Sequence, residues 1–61
     1  MNSIIVKREK IKIKEIFKKN NYSLEEKIIF LEAQKELATA LNDDNMITAC
    51  DILFKELKEK E

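Results

Sequence analysis

The sequence predicts an all-α fold: an antiparallel helical hairpin over about 24–41 and 45–60, preceded by a basic N-terminal helix, together a small three-helix unit. Three observations predict it. Apolar residues recur at helical spacing, glycine and proline are both absent, and one polar tetrapeptide, Asn42-Asp43-Asp44-Asn45, interrupts the pattern. A β-rich fold would lack its usual turn formers here. With 39% charged and 44% hydrophobic residues, the composition is that of a small helical bundle rather than a disordered chain.

The N-terminal arm, residues 1–22, holds six lysines and one arginine against two glutamates, a net charge of +5, and residues 23–61 therefore carry −5. Read as a strand, the arm places Arg8, Lys10, Lys12 and Lys14 on one face and Ile11 and Ile13 on the other. Read as a helix, it gathers Ile5, Val6, Ile13, Ile16 and Phe17 on one side, interrupted by Glu9, with Ile4 and Ile11 outside. Lys7, Lys10, Lys14 and Lys18 then line a second side. Only the helix accounts for Lys18-Lys19-Asn20 as a last turn and left-handed stop, so the helix is preferred. The alternative is an N-terminal basic strand followed by two helices.

Ser23-Leu24-Glu25-Glu26 has the form of a capping box, and its two carboxylates face the positive end of the helix dipole. The hairpin's first helix starts there. Leu24, Ile28, Leu31, Ala38 and Leu41 stack on one side, Phe30, Ala33, Leu37 and Ala40 widen it, and Glu25, Glu32, Glu36 and Thr39 lie opposite. Asn42 to Asn45 ends that helix and caps the next without glycine. So short a connection forces the two helices antiparallel. Met46, Cys50, Leu53 and Leu57 form the seam of the last helix, with Ile47, Ala49 and Phe54 beside it, and Lys55, Lys58 and Lys60 toward its end. Residues 1–61 are expected to form a single small helical domain, a basic arm on an acidic hairpin.

Several chemistries are disfavoured by the residue inventory. Cys50 has no histidine anywhere in the chain to activate it and sits on the seam, as a packed thiol would. A zinc site would need that thiol plus carboxylates, and the Asp and Asn residues of the turn lack the glycine and terminal glutamate of a calcium loop. No metal or cofactor is expected. Paired carboxylates such as Glu32 and Glu36 fall on a solvated face with no pocket to shift them, so no enzyme is expected. A lone thiol, with no signal peptide and no long apolar run, points to a reducing, cytoplasmic setting and argues against membrane association. Phe17 and Tyr22 beside Lys18-Lys19 are expected as core and helix-start packing rather than as a base-stacking pair.

Leu37-Ala38-Thr39-Ala40-Leu41-Asn42, continuing through Asn45, Ala49 and Ile52, is faintly similar to the short helix-turn-helix repeat called the IDEAL domain, over about a quarter of the chain. It departs from that pattern at Ala38, Asn42, Asn45 and Ala49. The strand reading of the arm followed by two helices is similar in element order to ribbon-helix-helix repressors. Neither likeness carries a functional residue over to this chain.

What remains is a small non-enzymatic regulator, an adaptor or inhibitor, acting through amphipathic helices on a protein partner. The alternative is a nucleic-acid-binding regulator that sets Lys7, Arg8, Lys10, Lys12, Lys14, Lys18 and Lys19 on phosphates. A homodimer is expected as well. The helix from Leu24 is apolar over more than half its circumference, and one partner helix cannot cover Ile28, Ile29, Phe30 and Leu37, nor is Ile52 of the last helix covered within the hairpin.

Overall fold

The computed structural model describes residues 2–59, which form three helices: α1 (Ser3–Asn20), α2 (Leu24–Ala40) and α3 (Asp44–Glu59). The arm is helical, and among the described residues there is no strand, which removes the strand-first alternative and the ribbon-helix-helix order with it. Lys60, expected near the end of the last helix, lies outside the described residues.

Each boundary has a local cause. Asn2 caps α1, its side-chain oxygen accepting from the amides of Ile4 (3.0 Å) and Ile5 (3.3 Å). The left-handed stop of α1 is Asn21, at φ 51°, one residue later than expected, because Asn20 remains helical and donates its side-chain amide to the Ile16 carbonyl. The Asn21 and Tyr22 amides then bond back to the Lys18 and Phe17 carbonyls, satisfying two of the groups a helix end leaves open. At Ser23 both halves of the capping box are present: Glu26 donates its amide to Ser23 Oγ (3.2 Å), and Ser23 donates its amide to Glu26 Oε1 (3.0 Å). That amide holds the Glu26 carboxyl below its ordinary pKa.

The α2–α3 turn repeats the solution used after α1. Asn42 takes φ 55°, and the Asn42 and Asp43 amides bond to the Thr39 and Ala38 carbonyls. Asp43 is the cap of α3, accepting from the Met46 amide at 3.2 Å. The helix therefore begins at Asp44, and Asn45, expected in the turn, lies in its first turn instead. There Asn45 Oδ1 accepts the Asn2 amide (2.9 Å), tying the start of α1 to the start of α3.

α3 is the central helix. The backbones of α1 and of α2 each approach it closely, whereas α1 and α2 scarcely approach one another. The arm is thus laid on α3 more than across the hairpin groove. The reason is the row Asn45, Ala49, Ile52 and Glu56, at helical spacing. Asn45 and Glu56 bond to α1, and Ala49, fully buried, has no side chain beyond Cβ to hold α1 away. The other flank of α3 faces α2 through Leu31 and Ala38, two turns apart and both buried. Ile13, Phe17, Leu31, Cys50 and Leu53 form the core, with Tyr22, Phe30, Met46, Phe54 and Leu57 packed around it.

At the closed end of the bundle Phe17 meets Phe30 edge-to-face (5.6 Å between centroids) and Tyr22 lies within 6.2 Å of both rings. Phe17 is core and Tyr22 packs over the start of α2, with the Lys27 ammonium 5.8 Å from the Phe17 ring. Phe17 is buried, whereas Tyr22 is half-buried and lines a surface pocket with Lys14, Lys18 and Lys27.

Candidate protein-docking surface

The sequence placed more apolar residues on α2 than the fold buries. Leu24 and Leu41, expected on the buried side of α2, are exposed: Leu24 is the first helical residue, and Leu41 lies beyond the last one, in the turn that leads into α3. Of the five apolar residues singled out for a dimer or partner, Ile29 and Leu37 are exposed at 66% and 55%. Phe30 and Ile28 are half-buried, the first in the aromatic cluster and the second beside Phe54 and Leu57 of α3. Ile52 is half-buried too, in a pocket with Ser3, Val6 and Lys10, so α1 supplies the cover that the hairpin lacks.

Of the eight exposed large apolar side chains among the described residues, five fall toward one side of the bundle. Ile4 and Ile11, seven positions apart, lie on the outer side of α1, and Leu24 lies beside α3. On α1, the flank carrying Ser3, Val6, Lys10 and Lys14 is turned to Thr48, Ile52 and Glu56 of α3. The other flank, Ile5, Glu9, Lys12 and Ile16 at spacings of four, three and four, is left toward α2. On α2, the flank with Leu24, Ile28 and Lys35 meets Phe54, Leu57 and Asp51 of α3, which leaves the flank of Leu37 and Leu41 toward α1. Ile5, Ile16, Ile29, Leu37 and Leu41 therefore border a shallow apolar face on the α1–α2 side. Ile16, expected on the apolar side of the arm with Ile13 and Phe17, is exposed, because α1 settles on α3 with Ile13 inward. The row Ile5-Glu9-Lys12-Ile16 is legible in the sequence; its exposure depends on which helix α1 packs against.

The seven cations of the arm divide in two. Lys10 and Lys14 both reach Glu56 of α3 (3.4 and 3.1 Å), and Lys12 pairs with Glu9 (3.6 Å). Lys7, Arg8, Lys18 and Lys19 are exposed and make no ion pair among the described residues. Part of the arm's charge thus complements the hairpin inside the fold. On α2, Glu25, Glu26, Glu32 and Glu36 all point outward, while its two lysines turn inward, Lys35 to Asp51 (2.7 Å) and Lys27 to Phe17.

Burial by itself would raise the Glu56 pKa, but the hydrogen bond and charge of Lys14, joined by Lys10, outweigh it and hold the carboxyl below its ordinary value. A lowered folded pKa contributes stability that is present above the ordinary glutamate value near 4.5 and is lost as pH falls through the folded one. Wild type is expected to out-melt Glu56→Gln at pH 7 by the equivalent of up to about 1 kcal/mol, the pair being partly solvated. Thermal melts between pH 7 and pH 2 should show that margin vanish in acid.

Cys50 has no exposed surface, and desolvation, reinforced by the Asp51 charge and only partly offset by Lys35, raises its pKa. It is a packed thiol in this fold. Among the described residues no helix is long and apolar enough to cross a membrane.

The chain matches no known family model, and no match to it is found among curated proteins or solved structures. The surface has to be read from its own chemistry.

Proposed function

We propose that this chain is a small non-enzymatic regulator, an adaptor or inhibitor, that acts by binding protein through its amphipathic helices and that also self-associates. The observation that carries this reading is the apolar face of α1 and α2. In a chain of 61 residues, Ile29 and Leu37 of α2 and Leu41 just beyond its end each leave more than half of their surface open. Ile5 and Ile16 lie on the flank of α1 turned toward α2 and add to the exposed apolar surface of that side, and apolar patches on small soluble folds mark contact surfaces. A protein helix or second bundle covers such a face without any pocket of depth.

A photo-crosslinking residue at position 37, with position 55 on the exposed side of α3 as control, tests it in the source cell. Protein adducts at 37 that are absent at 55 are expected. Equal adducts at both positions, or none at 37, would overturn the reading. The nucleic-acid alternative rests on the exposed quartet Lys7, Arg8, Lys18 and Lys19, which make no ion pair among the described residues. It ranks second because the outward glutamates of α2 repel the same polyanion.

A further inference from the structure

We infer that the occupant of the α1–α2 face is a second copy of this chain, in a two-fold dimer whose axis runs along the helices, so that α1 of each copy lies on α2 of the other. This rests on the reading of that face as a protein-binding surface, and it names the partner. Charge and level both pair α1 with α2.

The two outward helices carry opposite charge around a shared apolar centre. Arg8 and Lys19 edge the face on α1; on α2 Glu26 borders it beside Ile29, and Glu36 stands at its outer margin, where α2 turns to the groove it lines with Lys35 and Phe54, with all four charged side chains exposed. A two-fold axis across the helices would set α1 on α1 and α2 on α2, bringing like charges together. An axis along them sets each basic edge on an acidic one.

Level gives the same pairing. Phe17 and Phe30 are in contact, so α1 and α2 are level there, and they run antiparallel with the same rise per residue. Residue 8 is then level with residue 39, and residue 19 with residue 28. Rotation about an axis along the helices leaves levels unchanged, so Arg8 of one copy comes within about one turn of Glu36 of the other, and Lys19 within about one turn of Glu26. Ile16 falls level with residue 31, between Ile29 and Ala33, and Ile5 falls beside Leu41. Area permits the contact. The bundle measures 28 × 22 × 22 Å, so its broad side presents on the order of 600 Å², about what each partner of the smaller stable interfaces buries.

Charge reversal in two separate chains tests it by sedimentation equilibrium at low salt. Arg8→Glu alone and Glu36→Arg alone should each dimerise at least tenfold more weakly than wild type, since each sets like charges against one another twice per dimer. Mixed in equal amounts, the two variants should form a heterodimer of wild-type affinity. Both substitutions are on exposed helical positions, and circular dichroism of each variant confirms that the helices are kept. If Arg8→Glu alone dimerises like wild type, the pairing of α1 with α2 is wrong. If the mixture shows no recovery, the two edges do not meet. A wild-type chain that stays monomeric at 100 µM, while position 37 still crosslinks to a different protein in cells, removes the second copy as occupant and leaves the protein-binding reading standing. A monomeric chain whose Arg8→Glu variant instead loses affinity for duplex DNA or RNA assigns the basic edge to nucleic acid and overturns the dimer.

Discussion

Leu31→Ala is expected to leave most of the chain unfolded at 25 °C. Leu31 has no exposed surface and belongs to the core with Ile13 and Phe17 from α1 and Cys50 and Leu53 from α3. Removing its three outer carbons loses their transfer free energy and opens a cavity that rigid helices close only in part, at a cost of about 2–5 kcal/mol. A chain of this size has only about 3–5 kcal/mol of net stability from a single core. The substitution therefore costs most of what holds the three helices together. Ellipticity at 222 nm, followed through a thermal melt, should show a transition lowered by well over 10 °C or already past its midpoint at room temperature, given a shift of about 4–8 °C per kcal/mol. A loss of only a few degrees would mean that α1 and α3 make a core without α2, contrary to the arrangement in which α3 binds both.

Leu37→Glu is expected to do the opposite, keeping the helices and abolishing self-association. Leu37 is more than half exposed and makes no part of the core, so an exposed glutamate in its place should change the stability of the isolated bundle by about 0.5 kcal/mol or less. In the dimer the same position is covered. Burying a leucine contributes about 2–3 kcal/mol, and a carboxylate held there without a cation opposes association further, so Kd should rise by about 100-fold or more. Sedimentation measures it directly. The contrast between these two leucines, six positions apart on α2 and lost to opposite effect, separates core from contact surface more clearly than either alone.

The fold was legible where local chemistry is decisive. Ser23 and Glu26 mark a helix start that side-chain and backbone bonds then fix, and Met46, Cys50, Leu53 and Leu57 occur at the spacing of one buried seam. The stops were less exact, because Asn20 and Asn21 offer the same left-handed tolerance and a local side-chain bond, from Asn20 to the Ile16 carbonyl one turn back, keeps Asn20 in the helix. Asn45 could not be assigned from the sequence: its partner Asn2 lies 43 positions away.

The surface was legible in part. Ile29 and Leu37 are outward because α2 has apolar residues around more of its circumference than α3 can cover. Ile52 was read as open since the hairpin alone leaves it so, and the cover comes from α1. Ile5, Ile16 and Leu41 were assigned inward, as their spacing allows, and were left out because α1 rests on α3 rather than in the hairpin groove. Periodicity tells which residues share a side of a helix. It does not tell which neighbour that side will meet.

Sedimentation equilibrium of the wild-type chain from 1 to 100 µM, at low salt and again at 1 M salt, tests most directly whether the α1–α2 face is a protein contact surface closed by a second copy. The mass is expected to rise from the 7.2 kDa of one chain toward twice that value, with a melting temperature that climbs with concentration and weaker association at high salt as the charged edges are screened. A 7.2 kDa species at every concentration and salt, fully helical and with one melting temperature, would contradict it.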